Sequence, residues 1–309
     1  MAAYSTAGRP MGTAGLQQDA GGRHLDFSAT VPRELVHKTS LSEVLLTEIQ
    51  RLDENHFVVG AQWPRWHVFY RGPGGPTDSM LLAETLRQSV ILLAHSSGVP
   101  LDRKFLMPHL ALEVSPFDRD PRRPTEVIVG LEVIRSQERA GVFTSLEVSA
   151  RFMSGNLRIG TGSAAARILD ARTYQRFRSQ VSPEPPGPRP ARALKGAHVG
   201  HRDGRHVVLG ASREPSTWPL VVDIAHPVFF DHPLDHVPGM LLVEAARQAI
   251  RVAAGRPDVD LHGFTAEFHH IVELWYQAAV TVVSLGDGTA HVDITAGDTT
   301  LMSFRGLYS

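Results

Sequence analysis

Residues 80–88 read MLLAETLRQ, and residues 240–248 read MLLVEAARQ. The two stretches share Met, Leu, Leu, Glu, Arg and Gln in register, 160 residues apart. A repeat with a period of about half the chain indicates two copies of one structural unit. The nature of this repeated stretch therefore decides the fold of the whole chain.

Each copy of the repeat predicts a long apolar helix. Apolar residues continue past the first copy to Leu93 and past the second to Ala253. Because no broad polar face interrupts them, we expect each helix to be enclosed rather than to lie on a surface. Pro238 disfavours helical angles at the residue before it, so the second helix should start no earlier than Pro238-Gly239.

Segments rich in β-branched and apolar residues flank both helices and predict strands. Each half therefore reads as strands, one apolar helix, then more strands, which predicts an α+β fold with a curved antiparallel sheet wrapped around each helix. The predicted strands are residues 44–49, 56–60, 125–134, 142–152 and 156–169 in the first half, and 206–209, 220–223, 279–285, 289–295 and 301–307 in the second.

The two halves are separated by a stretch that favours neither helix nor sheet. Residues 182–190 contain five prolines, which suit a semi-rigid linker. We therefore predict four parts. They are a flexible tail over 1–30, a first domain over 31–178, a proline-rich linker over 179–194 and a second domain over 195–309.

The composition excludes several classes of protein. The 309 residues are 42% hydrophobic and 20% charged, with a formal net charge of -1 and no cysteine. A near-neutral chain without a basic stripe is not expected to bind nucleic acid, and the lack of cysteine excludes disulfides and thiolate catalysis. No apolar run approaches the roughly 20 residues that span a bilayer. We expect a cytoplasmic protein without a membrane partner.

The segment from Phe229 to Gln248 resembles the hot dog fold dehydratases of fatty-acid synthesis. It has two aromatic residues, a histidine, a Pro-Gly entry and a helical glutamate in the order typical of that family. His232 falls near the catalytic histidine of those enzymes, and Glu244 falls on its acidic partner. The segment differs in being shorter before Pro-Gly and in carrying Arg247 where the dehydratases usually have a small residue.

A closer resemblance extends over both halves. The sequence DHPLDHVPGMLLVEAARQ, with the repeated MLL-x-E-x-x-RQ and a start near Val36-His37-Lys38, looks like that of the A-factor biosynthesis proteins, the AfsA-type γ-butyrolactone synthases. This resemblance implies two fused hot dog domains. It implies transfer of a β-ketoacyl group from an acyl carrier protein or coenzyme A to dihydroxyacetone phosphate, a step towards butyrolactone-type signalling molecules that control antibiotic production. It also implies Glu84, Glu244 and Arg247 as catalytic residues, with Arg87 as the matching arginine of the first half.

The residue types of the second copy suit that reaction. Glu244, Arg247 and Gln248 share one face of the helix. Burial raises the pKa of a carboxylate, so Glu244 is a candidate general base for the attacking hydroxyl. Arg247 has a planar fork of donors that suits a phosphate. The N–H groups near Gly239 and Met240, at the start of the helix, are candidates to polarise the thioester oxygen.

The same residues allow other interpretations. An internal ion pair between Glu244 and Arg247 would fix how the two helices meet without any catalytic role. Glu84 is either catalytic or part of a wall that completes the site of the other half. His232 is a candidate acid or base near neutral pH, and the alternative is a polar turn.

Two other functions remain open. The chain could be a dehydratase or a thioesterase, because this fold hosts both, or a non-catalytic protein that binds butyrolactones or acyl chains. A phosphate-binding arginine beside the glutamate favours the acyltransferase. We expect no metal, no cofactor, and either a monomer or a homodimer.

Overall fold

The computed structural model describes residues 24–71, 77–179 and 191–309. Most of the predicted tail over 1–30 and most of the predicted linker over 179–194 lie outside the described residues. The division into two domains at the linker remains a prediction.

In the described part of the chain, eleven antiparallel strands form one continuous sheet. Their order across the sheet is β1-β2-β4-β5-β6-β3-β8-β11-β10-β9-β7. The strands are β1 (Leu46–Arg51), β2 (His56–Trp63), β3 (Lys104–Val114), β4 (Thr125–Arg139), β5 (Val142–Ser154), β6 (Leu157–Leu169), β7 (Thr217–Pro219), β8 (Leu261–Phe268), β9 (Ala279–Gly286), β10 (Thr289–Ala296) and β11 (Thr299–Tyr308).

The two halves of the chain join in the middle of this sheet. Strand β3 of the first half pairs with β8 of the second half, in a register that runs from His109 opposite Glu267 to Glu113 opposite Gly263. The His109 ring is also hydrogen-bonded to the Glu267 carboxylate at 2.7 Å. The backbone hydrogen bonds of the sheet therefore run across the boundary between the halves without a break.

Each half contributes one long buried helix. Helix α1 spans Ser79–Ser96, and every residue in it except Arg87 and Ser96 is buried. A short helix α2 spans Ala171–Arg178. Helix α3 spans Gly239–Ala253 and is buried without interruption from Leu241 to Arg251. The predicted start of α3 is confirmed, and so is the enclosure of both repeated segments.

Glycines in β6 let helix α1 lie close to the sheet. A Cβ atom at Gly160 would lie 2.7 Å from Leu82 Cδ2, which is closer than real contacts allow, and one at Gly162 would lie 3.0 Å from Leu86 Cδ2, which is a tight contact. Any side chain at these two positions would press against the helix. The helix is thereby held against the sheet, and its polar residues are placed at a fixed depth in the core.

The α+β arrangement of sheet and enclosed helices is confirmed, but two predicted strands of the second half are wrong. Residues 206–209 and 220–223 form only an isolated bridge between Leu209 and Leu220. The reason lies in helix α3, because the Gln248 side chain accepts from the Val208 N–H at 3.0 Å and donates to the His206 carbonyl at 2.7 Å. Backbone hydrogen bonds from the Gly210 N–H to the Pro219 carbonyl at 2.8 Å and from the Val221 N–H to the Val208 carbonyl at 2.9 Å still join the two segments, but this pairing is too short to form a strand.

Candidate active site

The glutamate, arginine and glutamine of the first repeat form a hydrogen-bonded cluster inside the protein. Arg87 donates from Nε and from Nη2 to the two oxygens of Glu84, at 2.9 Å each. Gln88 donates to Glu84 Oε1 at 2.8 Å, and the Lys38 ammonium lies 3.1 Å from the same oxygen. Lys38, Glu84, Arg87 and Gln88 are called the first-half cluster below.

The second repeat builds a matching cluster. Arg247 donates from Nε to Glu244 Oε2 at 2.7 Å, and Gln248 donates to Glu244 Oε1 at 2.8 Å. The His201 ring is hydrogen-bonded through Nε2 to Glu244 Oε1 at 2.7 Å. One further carboxylate, that of Asp78, accepts from Arg247 Nη1 at 2.7 Å. Asp78, His201, Glu244, Arg247 and Gln248 are called the second-half cluster.

The two glutamines anchor their helices to the preceding loops in the same way. Gln88 accepts from the Leu45 N–H at 3.0 Å and donates to the Glu43 carbonyl at 2.8 Å. Gln248 makes the corresponding pair of bonds to Val208 and His206. Two backbone groups would lose a partner if either glutamine were replaced by an apolar residue, so Gln248 has a structural role that does not depend on any substrate.

Lys38 and His201 occupy equivalent places beside the two glutamates. Each follows a residue in the left-handed region, His37 with φ 53 and Gly200 with φ 76. The sequences Val36-His37-Lys38 and Val199-Gly200-His201 are thus a further part of the repeat. The offset here is 163 residues instead of 160, because the segment that follows is three residues shorter in the second half.

A pair of buried histidines distinguishes the second half further. His226 Nδ1 accepts from the Val228 and Phe229 N–H groups, so its Nε2 carries the proton and donates to His206 Nδ1 at 2.9 Å. In the first half, His67 makes the same turn contacts but lies against the Glu43 carboxylate at 3.2 Å. The second half therefore holds a neutral pair where the first half holds a histidine and a carboxylate.

The electrostatics contradict the expectation of a raised pKa for Glu244. Burial alone would raise its pKa, but the charge of Arg247 and the contact with His201 lower the pKa to about 2. The same balance, with Arg87 and Lys38 as the cations, lowers the pKa of Glu84. Both carboxylates are ionised near neutral pH, and hydrogen bonds hold every one of their oxygens. They are poorly suited to accept a proton from a substrate.

The two arginines differ in how completely the protein surrounds them. All three nitrogens of Arg247 contact carboxylates, those of Glu244 and Asp78, and only 5% of its side chain is exposed. Arg87 is 20% exposed. Within the described part of the chain, its Nη1 has no hydrogen-bond acceptor. Arg87 is therefore the arginine that a ligand can reach.

The loop before helix α3 lies over the first-half cluster. Asp231 accepts from the backbone N–H groups of Thr39 and Ser40, at 2.5 and 2.9 Å. His232 follows it, with 37% of its side chain exposed and with Nδ1 3.5 Å from Asp231. Burial, with a smaller contribution from Arg87 and Lys38, lowers the pKa of His232. A neutral histidine from the second half thus lies close to the arginine and lysine of the first.

The start of helix α3 is less enclosed than the start of α1. Asp78 caps α1 and accepts from the Met80 N–H, whereas Pro238 stands at the same position before α3 and offers no side-chain cap. Gly239 and Met240 are partly exposed. A Cβ at Gly239 would lie 3.1 Å from the Phe268 ring. The room at Gly239 is thus taken up in part by this ring, and core packing explains part of the need for glycine.

The structure brings the predicted site residues into two places rather than one. Glu84, Arg87 and His232 lie together, while Glu244, Arg247 and Gln248 lie in the second-half cluster. Sequence reasoning missed four polar side chains that complete these clusters. Two of them, Lys38 and His201, would have been found by extending the repeat with a three-residue gap. The other two, Asp78 and Asp231, make contacts that depend on the fold.

Two further properties concern the whole described chain. Within residues 24–71, 77–179 and 191–309, no group of three or more His, Asp or Glu side chains is placed to hold a metal ion. No helix in that part of the chain is long and apolar enough to cross a membrane.

Comparison with solved structures identifies the class of fold. The 12:0-ACP thioesterase from Umbellularia californica has a TM-score of 0.52 at 9% identity, and the match covers 84% of this chain and 99% of that one. An acyl-ACP thioesterase from Bacteroides thetaiotaomicron has a TM-score of 0.50 at 11% identity, covering 82% and 98%. At such identities the match concerns the fold alone. This fold is the double hot dog fold, as predicted.

Sequence comparison then identifies the family. Residues 22–170 and 184–266 match the profile of the A-factor biosynthesis hotdog domain, AfsA. A 2-oxo-3-(phosphooxy)propyl 3-oxoalkanoate synthase from Streptomyces virginiae is 37% identical over 90% of this chain and 97% of its own length. A protein of the same name from Streptomyces coelicolor is 35% identical, over 81% and 82%. The chain belongs to the AfsA family, and the predicted family resemblance is confirmed.

Proposed function

We propose that this protein is an acyltransferase that joins a β-ketoacyl group, carried as a thioester, to the hydroxyl of dihydroxyacetone phosphate. The names of its relatives describe the ester that such a transfer forms. The observation that carries the proposal is the position of His232, a partly exposed histidine of the second half, beside the Glu84–Arg87 pair of the first. A base and a cation thus meet where both side chains are partly exposed.

His232 is the group best suited to take the proton from the attacking hydroxyl. Because burial lowers its pKa, the ring is neutral near neutral pH and can accept a proton. When Nδ1 donates to Asp231, Nε2 is left with a free lone pair. We place the reaction at this side of the molecule rather than at Glu244, whose oxygens are all engaged.

The acyl transfer needs few further groups. The hydroxyl oxygen attacks the thioester carbon, a C–O bond forms, and the C–S bond breaks as the carbonyl is restored. The proton passes from the hydroxyl to His232 and from there to the departing thiolate. The uncapped N–H groups of Gly239 and Met240, in the same segment as His232, are our candidates to stabilise the negative oxygen of the intermediate.

In this proposal the role of Glu84, Glu244 and Arg247 is to hold other groups in place. Glu84 holds Arg87 and Lys38, while Glu244 and Arg247 tie helix α3 to the start of helix α1 through Asp78. The second-half pair fits the interpretation of an internal ion pair that fixes how the helices meet. Catalytic roles for these three residues remain predictions.

The experiment that tests the proposal supplies purified protein with dihydroxyacetone phosphate and a β-ketoacyl thioester, carried by coenzyme A in one arm and by acyl carrier protein in another. Mass spectrometry should detect the phosphorylated ester in at least one arm. The substitution His232→Asn should lower kcat by about 10²- to 10⁴-fold, whereas His236→Asn, which changes the neighbouring histidine of the same loop, should leave kcat within about twofold.

Free β-keto acid without ester would show a thioesterase instead and would overturn the proposal. Tight binding of a butyrolactone without turnover would do the same. Equal activity of the two histidine variants would leave the reaction in place but remove His232 from it.

A further inference from the structure

The repeat allows the hydrogen-bond partners of Arg87 to be compared with those of Arg247. In both clusters the arginine uses Nε and Nη2 to hold its own glutamate. In the second-half cluster the remaining Nη1 binds the carboxylate of Asp78, the residue that caps the opposite helix. The Asp78 carboxylate therefore marks the position where an anion meets this type of arginine.

The first-half cluster has no such carboxylate. The cap of helix α3, at the position that corresponds to Asp78, is Pro238. Its side chain has no acceptor, and no other acceptor for Arg87 Nη1 lies within the described residues. The nearby carboxylate of Asp231 is instead bonded to two backbone N–H groups. Arg87 thus keeps a donor that its counterpart Arg247 uses within the protein.

Lys38 adds a second cation at the same place. Its ammonium has three N–H donors, and Glu84 is its only salt-bridge partner in the described chain. The ion pairs of the first-half cluster join two cations, Lys38 and Arg87, to the one carboxylate of Glu84. Those of the second-half cluster join two carboxylates, Asp78 and Glu244, to the one guanidinium of Arg247. An added anion is therefore favoured in the first-half cluster and repelled in the second.

We propose that Lys38 and Arg87 together bind the phosphate of the acceptor substrate, at the position that corresponds to the Asp78 carboxylate in the other half. This inference rests on the proposed function for the identity of the acceptor. It assigns Lys38 as a specificity-determining residue, which selects a phosphorylated alcohol over an unphosphorylated one. It also assigns Asp78 as the internal anion that keeps Arg247 from binding a second phosphate.

The test compares acceptors with and without phosphate. In the wild-type protein, ester formation is measured with dihydroxyacetone phosphate and with dihydroxyacetone, and binding of dihydroxyacetone phosphate is measured by calorimetry. The variants Lys38→Met and Arg87→Met should each raise the KM and the Kd for dihydroxyacetone phosphate by about 10- to 100-fold. The KM for the thioester should change by no more than about twofold, and the rate with dihydroxyacetone should fall by a smaller factor than the rate with dihydroxyacetone phosphate.

A third variant supplies the missing carboxylate. Pro238→Asp restores at α3 the cap that α1 already has, and the new carboxylate should compete with phosphate for Arg87 Nη1. Because the new carboxylate would also accept from the Met240 N–H, the effect of this variant is measured by binding rather than by turnover. The Kd for dihydroxyacetone phosphate should rise about 10-fold without loss of thermal stability. The matched control for Lys38→Met is Lys195→Met, because Lys195 is an exposed lysine that makes none of these contacts.

The outcomes separate the two proposals. If the wild-type protein forms no ester, the proposed function fails, and the calorimetric arm still decides on the phosphate site. If the protein forms ester but Lys38→Met and Arg87→Met bind dihydroxyacetone phosphate as tightly as the wild type, this inference is overturned. A loss of binding in Lys195→Met equal to that in Lys38→Met would overturn it too, since it would reflect only overall charge.

Discussion

The two halves of the molecule carry the same helical Glu, Arg and Gln but place them in different surroundings. In the second half, Asp78 crosses from helix α1 and completes a closed set of contacts around Arg247. In the first half, Pro238 takes the corresponding position, and Arg87 stays partly exposed beside Lys38. One duplicated motif thus serves to hold the halves together in one copy and is free to meet a ligand in the other.

This difference is produced by residues outside the duplicated motif. The helical residues are identical at the three polar positions, so they cannot decide which copy is open. The two copies differ in the residue that caps each helix, which is Asp78 in the first half and Pro238 in the second. They also differ in the residue beside each glutamate, which is Lys38 in the first half and His201 in the second. Identical signature residues in a repeat therefore do not establish identical roles.

The largest expected effect is a difference in stability between variants of the two arginines. The substitution Arg247→Met leaves the Glu244 and Asp78 carboxylates buried without their cation, and it should lower the free energy of unfolding by about 3–5 kcal/mol. The substitution Arg87→Met leaves Glu84 with Lys38 and Gln88, and it should cost about 1 kcal/mol. Urea unfolding followed by circular dichroism measures both values. Equal losses in the two variants would contradict the assignment of Arg247 to a closed structural cluster.

The next largest effect is a loss of stability at Gly200, one of the two equivalent residues with a left-handed backbone conformation. Gly200 has φ +76, and a Cβ there would lie 2.3 Å from the Pro257 carbonyl oxygen and 2.9 Å from Arg251 Nη1. The substitution Gly200→Ala should therefore lower the free energy of unfolding by about 2–3 kcal/mol.

The first half supplies the control for this prediction. His37 already adopts the left-handed conformation with a side chain, which is hydrogen-bonded to His95 at 2.9 Å. His37→Gly relieves backbone strain but loses that bond, so its free energy of unfolding should stay within about 1 kcal/mol of the wild type. The same urea experiment measures both variants. A Gly200→Ala protein as stable as His37→Gly would show that the second turn can shift to admit a side chain.

The sequence predicted the helices and their polar face because both follow from local spacing. Residues three and four apart lie on one side of a helix wherever the helix is placed. The repeat also identified two equivalent units, and the strands predicted after each helix are present. The two central strands β3 and β8, which directly follow the helices and join the halves, were not predicted. These features depend on neighbours in the chain, which the sequence displays directly.

The partners of the polar face could not be predicted in the same way. The sign of the pKa shift of Glu244 was wrong because the effect of burial, which raises the pKa, is outweighed by the charge of Arg247 together with the contact with His201, 43 residues away in the chain. Asp78 and Arg247 are separated by 169 residues and meet only through the packing of two helices. The predicted strand at 206–209 failed for a related reason, because Gln248 of helix α3 binds the backbone of His206 and Val208.

The smallest expected effect is a dependence of stability on pH that arises from the second half. Burial and the neighbouring His206 lower the pKa of His226 to about 4, from an ordinary value of 6.5. Because the unfolded chain binds a proton at higher pH than the folded one, the stability that neutral His226 contributes is present above pH 6.5 and is lost as the pH falls towards 4. Between pH 7 and pH 5.5 this loss amounts to about 1 kcal/mol.

The substitution His226→Asn isolates this contribution. The Asn side-chain oxygen can still accept from the Val228 and Phe229 N–H groups, but it does not titrate. The difference in unfolding free energy between pH 7 and pH 5.5 should therefore be smaller by about 1 kcal/mol in the variant than in the wild type. His56→Asn is the control, since His56 lies beside the exposed Asp53 on the surface and is not part of the buried pair. If His226→Asn keeps the full pH dependence, the neutral histidine pair is not what makes the second half sensitive to acid.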